Sequence, residues 1–178
     1  MPEFTRVVSL ACHDLRTPLA TVSGFAKTLL RVGDLDERSE RYIGMIDAAS
    51  DQLAELLDEL GVLARIEGDR YDPALVGANT LELAGEGAIG EGEEIETDEP
   101  SVRRALAALA LAASRHGGVE LSPWTVAGRD LSLPVNASAT PIVLGDDPRD
   151  FGSLVGRAVI EALGGSMRVE DDFLLVRL

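Results

Sequence analysis

The sequence predicts a two-part protein: an antiparallel helical hairpin followed by a small α/β sandwich, α+β in type, with helices on one face of a mostly antiparallel sheet. Three observations predict it. Apolar residues recur at spacings of three and four through two long N-terminal stretches, the signature of amphipathic helices. A cluster of turn residues from Gly68 to Pro73 ends that pattern. Beyond it, shorter helical periods alternate with β-type runs bounded by paired turn residues.

In the first stretch, residues 5 to 30, Val8, Ala11, Leu15, Leu19, Val22, Phe25 and Leu29 form one stripe, and Pro18 inside it removes a backbone donor and favours a bend. Gly33-Asp34 closes this helix, and Asp34 and Asp36 are both suited to cap the next. The second helix covers residues 35 to 66, roughly 48 Å at the standard rise. Ile46, Leu53 and Leu60 repeat every seven residues, while Ile43, Leu56, Leu57 and Leu63 extend neighbouring rows. That stripe is wider than one antiparallel partner covers. A second copy of the hairpin would cover the remainder and make a dimeric four-helix bundle; the second half of the chain is the alternative cover.

The hairpin domain is thus expected over residues 1–68 and the second domain over 73–178. Residues 74 to 88 read as a weak, Gly-interrupted helix, and 89 to 99 as an acidic, Gly-rich segment with one short strand at Ile95. Residues 101 to 116 form a strong helix, with Ser101 and Asp98 as alternative caps. Residues 119 to 126 and 130 to 135 read as antiparallel strands around Gly128-Arg129, with Trp124 packing in the sheet. Residues 151 to 163 form a helix ended by Gly164-Gly165, and 167 to 170 with 173 to 178 make a closing hairpin across Asp171-Asp172.

The chain has 178 residues, 46% of them hydrophobic, which is enough for a real core. Its net charge of -15 argues against nucleic acid or an anionic membrane as partner and favours a partner with a basic face. No uninterrupted apolar run is long enough to span a bilayer, and no signal peptide is visible, so a cytoplasmic protein is expected. The single cysteine, Cys12, fits a reducing compartment; beside His13 it reads as a small half-buried filler before a catalytic thiol. Glu91, Glu93, Glu94 and Glu96 lack a ligand pattern for calcium and read as a solvated loop. His116 would sit at a helix C-terminus as a partial cation.

Chemistry concentrates in His13-Asp14-Leu15-Arg16-Thr17-Pro18-Leu19. An exposed imidazole titrates near neutral pH and can attack as an unprotonated nucleophile, with Asp14 taking up the proton released. Thr17, one turn on, can orient a water or a phosphoryl group. Arg16 reads equally as a phosphate clamp and as a salt-bridge partner.

This run resembles the H-box of bacterial sensor histidine kinases, within their dimerisation and histidine-phosphotransfer hairpin, over about residues 5 to 68. The resemblance implies that His13 is the phosphoacceptor, Asp14 its acid/base partner, and Thr17 the residue supporting dephosphorylation of the partner. The second domain is similar in element order to the Bergerat-type ATP-binding domain of the same kinases, in degenerate form. Where those kinases place magnesium-holding asparagines, this chain reads Leu106-Ala107-Ala108-Leu109-Ala110-Leu111-Ala112-Ala113, and alanine offers a hard cation no oxygen. No aspartate falls in the adenine-reading segment 135 to 142, where Asn136 can still accept one hydrogen bond. Of the phosphate-cradling glycines only Gly152 remains, beside Asp146, Asp147 and Asp150, and the lid is reduced to little more than a turn.

The expected function is therefore a phosphorelay histidine phosphotransferase. It would accept a phosphoryl group on His13 from a receiver-domain phospho-aspartate and pass it to another response regulator without ATP. Leu10, Leu15, Arg16 and Val22 would dock the receivers, which supply Mg2+; the chain itself binds no cofactor or metal and pairs as a homodimer through the hairpin. About a dozen residues precede His13, leaving no room for an upstream sensor in the chain as given. The alternatives are an ATP-dependent histidine kinase with divergent motifs, and a scaffold or phosphatase that binds response regulators.

Overall fold

The computed structural model describes residues 2–118 and 120–178, with side chains from Phe4 onward. The chain divides into two compact units, Met1–Arg70 and Tyr71–Leu178.

The first unit is a helical hairpin of α1 (Pro2–Val32) and α2 (Glu37–Ile66). Helix α1 continues through Pro18 without a break in assignment. Gly33 and Asp34 both take positive φ, 76° and 74°, so the chain reverses there, and Asp34 belongs to the turn. Asp36 is the cap: its carboxylate accepts from the Ser39 amide at 2.8 Å and from the Ser39 hydroxyl at 3.2 Å. Those bonds hold the Asp36 carboxyl below its ordinary range. Polar ties link the helices in antiparallel register: Ser23 to Asp47 at 3.3 Å, Lys27 to Asp51 at 3.0 Å, and Arg16 to Asp58. The Asp51 hydrogen bond, with Asp47 adding to it, raises the Lys27 pKa. Cys12, Ala26 and Ala64 are buried between the helices, while Phe25, Leu29, Met45, Ile46, Leu53 and Leu56 stay exposed.

The second unit opens with β1 (Val76–Asn79), a single helical turn α3 (Thr80–Leu83), β2 (Ile89–Gly92) and β3 (Glu94–Thr97). This corrects two expectations: residues 74 to 88 hold a strand and one turn instead of a weak helix, and 89 to 99 hold two strands instead of one. The cause is pairing. Strand β1 runs antiparallel to β3, with Ala78 opposite Ile95, both buried. Strand β2 lies parallel to β4 so closely that a Cβ at Gly90, whose φ is 119°, would overlap the Val126 carbonyl.

Helix α4 (Glu99–Gly117) follows, capped by Asp98 accepting from the Ser101 amide at 3.2 Å and closed by Gly118 in the left-handed region. It lies within the crossover that a parallel β2–β4 pair requires. Strands β4 (Thr125–Gly128) and β5 (Asp130–Pro134), the turn α5 (Thr140–Val143), α6 (Phe151–Ala162), β6 (Ser166–Glu170) and β7 (Phe173–Arg177) complete the unit. The five-stranded sheet has order β2-β4-β5-β7-β6, antiparallel except for β2–β4, and β1–β3 stand as a separate pair. Strand β4 begins later than expected: residues 120 to 124 are irregular, residue 119 lies outside the described residues, and buried Trp124 precedes the strand. Asp171 and Asp172 both take positive φ, 49° and 63°, as a tight two-residue hairpin turn demands. Val126, Leu131, Leu133, Leu174 and Val176 fill one face of the sheet, and the intervening Thr125, Ala127, Phe173 and Arg177 are exposed.

Candidate functional site

His13 stands on α1 with its side chain 78% exposed, and its Nδ1 lies 3.1 Å from Asp14 Oδ1. That contact favours the tautomer with the proton on Nδ1, which leaves the Nε2 lone pair facing outward. Among the described residues Nε2 has no partner. A nucleophilic nitrogen facing solvent, with a carboxylate on the opposite ring nitrogen, can attack a phosphorus and have its developing positive charge stabilised.

Helix geometry sorts the other expected residues. Thr17 is exposed one turn beyond His13, and its hydroxyl makes no hydrogen bond among the described residues; its carbonyl accepts from Thr21. Leu10, 61% exposed, shares that side of the helix. Leu15 and Val22 do not: at 100° per residue they lie about 200° and 180° around α1 from His13. They belong to the exposed apolar stripe with Phe25 and Leu29. Arg16 is in the salt bridge: its Nη2 pairs with Asp58 Oδ1 across the hairpin. Cys12 is 2% exposed and packs as a filler.

Sequence reasoning passed over Arg65 and Arg70. Arg70 Nη2 lies 3.4 Å from Ser9 Oγ, one helical turn before His13. Arg65 Nη1 and Arg16 Nη2 each lie 3.7 Å from where a Gly61 Cβ would stand. Arg65 in the last turn of α2 and Arg70 beyond its end carry no signal in the linear sequence that they return to the His13 helix.

In the second unit the segments that would hold a nucleotide are used for packing. A Cβ at Gly152 would stand 3.3 Å from Ala108 Cβ, and one at Gly156 would stand 3.0 Å from the Ala105 carbonyl. Ala112 is fully buried. Helices α4 and α6 therefore meet through small side chains, with no oxygen donor from 106 to 113. Asn136 is consumed locally: Nδ2 donates to the Gly117 carbonyl at 2.8 Å, and Oδ1 accepts from the Ser138 and Ala139 amides, both at 3.1 Å. Asp150 caps α6 through the Ser153 amide and is held by Arg115 at 3.0 Å and His116 at 3.1 Å. His116 thus bridges to α6, where a simple C-terminal cation was expected, and Asp147 is paired with Arg149. These residues do not fit a magnesium-bound triphosphate, and among the described residues no cluster of His, Cys, Asp or Glu could hold a metal.

Hairpin, exposed imidazole and sheet order are together matched in known proteins. Residues 5–69 match the His Kinase A (phospho-acceptor) domain. That segment is 42% identical over 60 residues to the circadian input-output histidine kinase CikA of Synechococcus elongatus, covering 33% of this chain and 8% of that protein. It is 32% identical over 63 residues to the probable sensor histidine kinase TcrY of Mycobacterium tuberculosis, covering 35% of this chain and 13% of that one. Full-length ShkA, solved in complex with AMPPNP, superposes with a TM-score of 0.68 at 19% identity, over 99% of this chain and 46% of that chain. Residues 5–69 are thus similar to a His Kinase A phospho-acceptor domain, and the chain shares the fold of ShkA. The matched segment spans less than a seventh of the length of these curated relatives.

Proposed function

We propose that this chain is a histidine phosphotransferase of a two-component phosphorelay. His13 Nε2 attacks the phosphorus of a receiver-domain phospho-aspartate; the N–P bond forms as the carboxylate O–P bond breaks, and Asp14 stabilises or takes the Nδ1 proton. A second response regulator reverses the step, its aspartate attacking phosphorus while the imidazole leaves. Such transfer needs in-line alignment and charge neutralisation more than covalent help. The Mg2+ is held by the receiver, the chain contributing no cofactor of its own. Leu10 and Arg16 border the dock, and the stripe containing Leu15 and Val22 pairs two hairpins into a homodimer. Neither nucleic acid nor membrane is a partner. No described helix is long and apolar enough to cross a bilayer, and a cytoplasmic site fits the one unpaired thiol.

The observation that carries this reading is the contrast within one chain: an exposed, carboxylate-paired His13 in the first unit, and in the second an α4–α6 contact sealed by Ala108, Gly152 and Gly156. Its test is to supply the protein with a phosphorylated receiver domain or with Mg·ATP. Acid-labile, base-stable phosphate should appear on wild type from the receiver alone and vanish completely in His13→Ala. Labelling from ATP without any donor protein would make the chain a kinase instead. The free hydroxyl of Thr17 on the His13 side supports a second activity, dephosphorylation of the receiver, which Thr17→Ala should slow while transfer persists.

A further inference from the structure

We infer that Arg65 and Arg70, together with Arg16, form a cationic lane alongside His13 that receives the anionic rim of the phosphoryl-bearing partner domain; this rests on the phosphotransfer reading. Ser9, His13 and Arg16 occupy positions i, i+4 and i+7, one stripe of α1. Arg70 reaches that stripe at Ser9, on the N-terminal side of His13, with a 3.4 Å contact. On the C-terminal side, Arg16 and Arg65 both extend their guanidiniums over Gly61, which is buried and has no side chain to keep them away. His13 therefore lies between two arginine-bearing positions.

The charges are not equally spent. Asp58 neutralises Arg16, whereas among the described residues neither Arg65 nor Arg70 has a carboxylate within ion-pair distance, and both are exposed. Glu67 and Asp69 stand on the adjoining turn without pairing to them. In a chain of net charge -15, two guanidiniums without carboxylate partners make a local cationic patch beside the nucleophile, in a molecule whose overall field repels an acidic partner. A domain that carries an acyl phosphate and a divalent cation does so with carboxylates, so its rim is anionic. Planar guanidiniums match carboxylate and phosphoryl oxygens in pairs. Acting within a Debye length, they would steer the approach and orient the rim.

The test uses the full chain, a phosphorylated receiver domain as donor, and second-order transfer rates at low and at high salt. Wild-type transfer should slow about tenfold with added salt. The Arg65→Gln/Arg70→Gln double variant should be about tenfold slower at low salt with a flattened salt dependence. Lys27→Gln removes one cation far along α1 and should behave as wild type. A wild-type rate indifferent to salt overturns the lane, even if the double variant does not fold. A folded double variant with wild-type rate and salt response overturns it too. A phosphoramidate arm, which modifies imidazole without docking, separates the two readings. Failure of both donors to label His13 sinks the phosphotransfer reading and the lane together, whereas labelling by both with no arginine effect sinks the lane alone.

Discussion

The hairpin and the α/β unit use apolar residues in opposite ways. In the second unit Leu83, Leu106, Leu109, Leu131, Leu133, Ile142, Ile160 and Leu174 are almost completely buried, each worth about 1.5–3 kcal/mol relative to exposure. In the hairpin the buried hydrophobic residues among those described are Cys12, Ala26 and Ala64, while Phe4 is 72% and Phe25 67% exposed. One unit closes its own core; the other presents half of one. The difference teaches that the hairpin leaves its apolar stripe open, whereas the second unit closes its packing within itself.

The largest effect should come from breaking the open half. If a second copy covers the stripe, Phe25→Lys with Leu29→Lys buries two charges at the pairing face and should convert a dimer to a monomer by sedimentation at micromolar concentration. A wild-type chain that is monomeric at that concentration removes the second-copy reading. Next, Leu106→Ala should lower the stability of the second unit by about 2–5 kcal/mol, read by denaturant unfolding. Labelling of His13 by a small phosphodonor should survive, because the hairpin carries its own nucleophile and acid.

Ala112→Asn probes the sealed surface. It adds an amide oxygen at a position with no exposed area. The polar amide should cost about 1–3 kcal/mol, and calorimetric titration with a magnesium-bound ATP analogue should still show no binding. Binding on that single change would mean that the α4–α6 contact opens easily.

How much was legible follows from the same comparison. The hairpin was readable because its stripes run for some thirty residues with one period, and His13 with Asp14 because they are neighbours in sequence. Strands β1 and β2 were not, since Val76-Gly77-Ala78-Asn79 and Ile89-Gly90-Glu91-Gly92 each carry a single strand-forming side chain among small or acidic residues; their state comes from Ile95 and Val126 across the pairing. The arginine contacts were hidden for another reason: Arg70 and Ser9 are 61 residues apart. Leu15 and Val22 show the converse, since closeness to His13 along the helix does not put them on its face. Pattern reveals what a segment does with itself, and tertiary pairing decides the remainder.

The smallest expected effect concerns the turn that sets the hairpin's register. Asp36→Ala removes the cap of α2 and its two bonds to Ser39, so the melting temperature should fall modestly at neutral pH. The carboxyl's pKa is lower in the folded chain than its ordinary value. Its contribution is therefore fully present above the ordinary aspartate pKa and is lost as pH falls through the depressed folded value. The gap between wild type and Asp36→Ala should accordingly hold constant from pH 7 to about 5 and close only in stronger acid. A gap that closed near neutrality would show that a different group, not the capping carboxylate, governs that end of the hairpin.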